Sequence, residues 1–102
     1  MSKIQVLRNH RSDLVLLSDN VINKRIALKK GRELAFNIVE SIENELSPKW
    51  IDTNLESDYF IESALSDILA MAISKRRLVF EVWAWDAYDK INMAMDAIKN
   101  HD

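Results

Sequence analysis

The sequence predicts a mainly α-helical domain, a compact bundle of three or more helices, and three observations lead there. Apolar residues recur at spacings of three, four and seven over long stretches, the period of one helix face. The chain has 1 glycine and 1 proline in 102 residues, against roughly seven and five at average usage. Hairpin turns lean on Gly, Asn and Asp, so a sheet-rich fold would lack the residues it needs. The apolar fraction of 48% supplies one core, and the length is that of a single domain, 1–102.

The first long stripe is Val21, Leu28, Ala35, Ile38, Val39, Ile42 and Leu46. It predicts a helix over about 19–46, with Ser18 or Asp19 as its cap. Lys24 falls on the same face and can lay its stem along apolar surface. Gly31 does too, and at about 1 kcal/mol relative to Ala it either admits a close helix crossing or marks a break. Pro48 ends this helix, because it cannot continue one and pushes Ser47 out of the α region.

Residues 49–53 form a connection, and Thr53 to Glu56 match a capping box. A second helix follows over about 54–76, with Ile61, Ala64, Leu65, Ile68 and Ala72 on one face. Leu69 and Ile73 widen that face, so this helix is expected to be well buried. The last helix, about 86–100, aligns Ala84, Ala87, Tyr88, Ile91, Ala94, Met95 and Ile98, with Asp86, Asp89, Lys90 and Asp96 toward the other side.

Two segments stay open. Residues 78–85 (LVFEVWAW) are β-branched and aromatic enough for a buried strand, yet no Gly or Pro separates them from the helices on either side. The N-terminus is either two strands around RNHRSD or one helix with Leu7, Leu14, Leu17 and Val21 in register. A strand needs a partner, so the α+β alternative pairs 78–85 with an N-terminal segment or a second subunit.

Charge is segregated along the chain. Residues 1–33 carry eight Lys/Arg against three acids, and residues 34–102 carry six against thirteen. The differences are +5 and −7, which sum to the net −2. Such asymmetry bears on partner choice rather than on fold. Lys24, Arg25, Lys29, Lys30 and Arg32 put five cations in nine residues, a stripe that could meet a phosphate backbone. Arg8, His10 and Arg11 could extend it, and Lys75-Arg76-Arg77 form a second patch. No helix-turn-helix pattern accompanies them. An acidic surface drawn from residues such as Glu40, Glu43, Glu56, Glu62, Asp67, Asp86 and Asp89 could dock a basic partner. For both surfaces the plain alternative is a solvated helix face.

Trp50, Trp83 and Trp85 are generous for this length. On a strand, Trp83 and Trp85 would share one face with Glu81, as an aromatic ligand wall or an interface hot spot; core packing is the alternative. The run 78–85 holds more apolar side chains than one face can hide, and a dimer interface would cover the excess.

Chemistry of other kinds finds little support. There are no cysteines, hence no disulfide or thiolate site. The sequence has no glycine-rich phosphate cradle, nucleophile elbow or HExxH. Asp86 and Asp89 at i and i+3 are too few ligands for a cation, and His10 and His101 stand alone. We therefore expect no enzyme, cofactor or metal. There is no signal-peptide h-region and no apolar run near the roughly 18 residues that span a bilayer, so a cytoplasmic, non-membrane chain is expected. The expected role is a small interaction or regulatory protein that binds a protein partner through Trp83, Trp85, Glu81, Asp86 and Asp89 and self-associates as a dimer. The alternative is a nucleic-acid-binding regulator using Lys24 to Arg32.

Overall fold

The computed structural model describes residues 2–46 and 55–101. It consists of α1 (Lys3–Ile22), α2 (Leu28–Leu46), α3 (Leu55–Ala72) and α4 (Arg77–His101). Each helix packs on its sequence neighbours, and α4 closes the bundle against α1. The bundle measures 41 × 21 × 19 Å. The expected mainly helical class holds, and no strand occurs among the described residues. The break at Ser47-Pro48, the connection 49–53, the capping box on Thr53, and Trp50 lie outside the described residues.

The N-terminal segment takes the helical option, with Leu7, Leu14, Leu17 and Val21 all buried. Ser2 caps it, its hydroxyl accepting from the Gln5 backbone N–H at 3.1 Å, which meets one of the orphan donors of the first turn.

The helix expected over 19–46 is two helices. Ser18 and Asp19 sit inside α1, and the chain turns over 23–27. Lys24 adopts φ = 60°. Lys24 N–H donates to Val21 O at 3.1 Å and Arg25 N–H donates to Asn20 O at 2.8 Å. These are the two closing bonds of a Schellman C-cap, with Lys24 at the left-handed position that glycine usually fills. Lys24 therefore does not lie along a helix face.

Gly31 admits a close crossing. A Cβ there would stand 2.5 Å from Val21 Cγ2 and 3.5 Å from Phe80 Cζ, so α2 meets α1 and α4 at this point.

Residues 78–85 are helical. α4 starts at Arg77 rather than near 86, and α3 ends at Ala72 rather than 76. The packing that decides this is Phe80, fully buried and aligned with Ala84, Ala87, Ile91 and Ala94, spacings of three and four that suit only a helix. On α3 the expected core residues Ile61, Ala64, Leu65 and Ile68 are buried and Ala72 is partly so, but Leu69 and, just past the helix, Ile73 are not: Ile73 is 78% exposed. They line the seam beside α2, where no described residue covers them.

Candidate interaction surfaces

Both short turns, 23–27 and 73–76, lie at the same end of the bundle, because successive helices run antiparallel. Arg77 Nε donates to Val21 O at 2.9 Å, and Arg32 Nη1 donates to Ser74 O at 3.1 Å. These bonds tie the two turns together and unite the two basic clusters, which are some forty residues apart in sequence. Lys24, Lys29, Lys75 and Arg76 are exposed here, and none of them forms an ion pair among the described residues. Arg25 pairs with Asp19, and Lys30 lies 3.8 Å from Glu33.

The early cations do not extend this patch. α1 carries Lys3, Arg8 and Arg11 toward the opposite end, where Lys3 Nζ sits 2.9 Å from Asp58. Arg11 donates to Asn92 Oδ1 at 2.6 Å and lies over the Tyr88 ring. Polarity in space therefore differs from polarity along the chain: the basic end gathers residues 24–32 and 75–77.

Beside the basic end, between α2 and α3, runs an open groove of about 790 Å³. Phe36, Leu69, Ala70 and Ile73 form its floor and walls, and Lys29 and Arg32 stand on its rim. Phe36 and Leu69 are substantially exposed.

The second surface is carried by α4. Helix geometry separates the tryptophans, because positions two apart are turned by about 200°. Trp85 leans toward α1, where its indole Nε1–H donates to Glu81 Oε1 at 3.3 Å and its ring meets Tyr88 edge-on at 5.4 Å between centroids. Trp83 lies on the α3 side. The expected Trp83–Trp85–Glu81 wall is thus corrected to Trp85 and Glu81, joined by Tyr88 and Arg11. These four line an open groove of about 520 Å³ along with Val15 and Leu16. The i, i+4, i+7 spacing of Glu81, Trp85 and Tyr88 on a helix is the sequence signal that groups Tyr88 with them; nothing in the sequence marks Arg11.

Outward from this groove, α4 presents an uncovered stripe. Leu78, Val82, Trp85 and Asp89 follow at spacings of three and four along α4 and are all exposed, and Lys75 stands exposed in the turn just before the helix. Leu78 and Val82 are each 63% exposed, and Trp85 is 49% exposed.

Asp86 and Asp89, expected on one face, part company. Asp89 is solvent-facing. Asp86 turns to the α3–α4 seam, where Lys90 Nζ lies 3.5 Å from it and 3.7 Å from Asp67, and donates to Ser63 Oγ at 2.9 Å. Asp67, expected on the acidic surface, is buried. Burial, reinforced by the neighbouring Asp86, pushes its carboxyl up to about 6. The interaction with Asp67, aided by Lys90, holds the Asp86 carboxyl below its usual range. His10 is also buried, with Nε2 3.2 Å from Glu45 Oε1, joining α1 to the end of α2.

Among the described residues, no group of three or more His, Cys, Asp or Glu could hold a metal ion, and no helix is long and apolar enough to cross a membrane. Set against known protein families, curated proteins and solved structures, the chain matches none of them.

Proposed function

We propose that this is a non-enzymatic interaction protein whose α4 surface docks a protein partner, and that the partner is a second copy of the chain. The observation that carries the reading is the α4 stripe Leu78, Val82, Trp85, Asp89, with Lys75 in the turn that leads into it. Read from either end it runs charge, apolar, apolar, apolar, charge, with the sign reversed. A two-fold axis through Val82 lays two such helices antiparallel. Val82 then meets Val82, Leu78 meets Trp85, and Lys75 meets Asp89. A closed two-fold interface requires a patch that complements itself in this way. The exposed Leu78, Val82 and Trp85 supply the apolar centre and a tryptophan anchor, and the flanking charges set the register.

Light scattering across micromolar concentrations tests this. The reading expects a dimer at physiological salt and a monomer for Val82→Glu, which puts two carboxylates on the axis. A wild-type chain that is monomeric at tens of micromolar, where a dimer would need about −6 to −7 kcal/mol, would end the proposal.

The second reading is nucleic-acid binding. The joining of Lys24, Lys29, Lys75 and Arg76 at one end supports it, because a phosphate backbone rewards clustered, unpaired cations. The apolar side chains set among those cations weigh the other way.

A further inference from the structure

We infer that the α2–α3 groove at the basic end is a second docking site, and that its occupant is an acidic amphipathic helix of a partner protein. This goes beyond self-association, which centres on a different face and shares only Lys75 with the surroundings of this one. Three features of the groove define the occupant.

The first is shape. The lining runs from Lys29 to Asn37 along α2 and from Ser66 to Ile73 along α3. That is about 12 Å at 1.5 Å per residue, the reach of two helical turns. Two antiparallel helices with an open seam receive a third helix by the groove mode of recognition, in which side chains at i, i+3 or i+4, and i+7 serve as anchors.

The second is the apolar floor. Phe36, Leu69 and Ile73 are exposed, and an apolar floor gains nothing from a sugar–phosphate backbone. An occupant that buries these residues must bring apolar side chains of its own.

The third is charge. Lys29 stands on the rim, where the one lining carboxylate among the described residues, Glu33, is paired with Lys30, and Lys24, Lys75 and Arg76 stand beyond it without ion-pair partners among the described residues. Arg32 is anchored by its bond to Ser74 O, which holds a guanidinium at the edge with further donors to spend. Carboxylates flanking the occupant's apolar stripe would meet these cations. An apolar helix without acids would leave them unmatched, and a nucleic acid would leave the floor exposed.

The test uses the full chain and a fluorescein-labelled synthetic helix of about 12 residues, with leucines at i, i+3, i+4 and i+7 and glutamates elsewhere. A scrambled peptide of the same composition and a labelled duplex DNA run beside it. The expected result is binding of the amphipathic peptide in the ~10 µM range, at least about tenfold tighter than the scramble and the duplex. Phe36→Ala and Lys29→Glu should each weaken it by about fivefold or more, while Val82→Glu leaves it unchanged. Phe36 and Lys29 are exposed, so both variants should keep the wild-type helical circular dichroism. Three results would overturn the inference: no binding of the amphipathic peptide, equal binding of the scramble, or a duplex that binds more tightly than the peptide. Since the peptide titration does not depend on the dimer, a monomeric chain that still binds the peptide would sink the self-association reading alone.

Discussion

The α4 stripe and the α2–α3 groove are both uncovered apolar surface, and they differ in how their charges are placed. On the stripe, a cation and an anion stand at opposite ends of three apolar residues, so the surface complements its own copy. In the groove, the surrounding cations have few acids to balance them, so the surface needs a different molecule. Apolar exposure says that something covers a surface; the arrangement of charge around it says what kind of thing.

The largest effects should come from breaking the apolar centres. Leu78→Glu with Val82→Glu should abolish self-association, a loss of at least about 2 kcal/mol, seen by sedimentation. The charge-reversal pair Lys29→Glu and Lys30→Glu should leave the sedimentation profile as it was, which keeps the two surfaces independent.

Gly31→Ala sharpens the comparison from beneath. Gly31 abuts Val21 and Phe80, which underlie both surfaces. The gain in helix propensity, about 1 kcal/mol, is outweighed by overpacking of about 1–3 kcal/mol against two fully buried side chains. Urea denaturation should show net destabilisation of about 1 kcal/mol. A stabilised variant would mean that the crossing is looser than described.

Asp67 sits in the seam that separates the surfaces. Its carboxyl is pushed up to about 6 from 3.8, so its contribution to stability is fully present below about pH 3.8 and is lost as pH rises through about 6. Asp86, held low, contributes with the opposite sign, at the acid end. Asp67→Asn keeps the size and polarity of the side chain without a proton to lose. Urea titrations at acidic and neutral pH should show that wild type loses more stability between the two than the variant does, by on the order of 1 kcal/mol. Equal losses would mean that Asp67 does not titrate in this range.

The smallest effect should be Lys24→Gly. Relief of the left-handed backbone at Lys24 favours the variant by up to about 1 kcal/mol, with no change in either surface beyond the loss of one charge.

Much of the fold was legible because the core stripes of α2, α3 and α4 keep a helical period. The turn at 23–27 was not, because Val21 and Leu28 lie seven apart and stay in register across it, and because Lys24 holds the position where glycine would have signalled an end. Asn23 at the C-cap and the Ser2…Gln5 spacing were the available signals. Residues 78–85 stayed ambiguous because their composition favours a strand, and only the burial of Phe80 with Ala84 and Ala87 resolves it. Both basic clusters were legible, but not their meeting at one end, since Lys29 and Lys75 are brought together by topology alone. Nor could the exposure of Leu69 and Ile73, which depends on what α2 leaves uncovered.

The most direct test of the central claim uses the absence of native cysteine. A chain carrying Val82→Cys places one thiol on the proposed two-fold axis, and a second chain carrying Asp96→Cys places one far from it on the same helix. On mild oxidation, the account predicts rapid, near-complete disulfide-linked dimer for Val82→Cys and little for Asp96→Cys at equal concentration. Equal and slow cross-linking of the two would show random collision, and would contradict the pairing of α4 with itself.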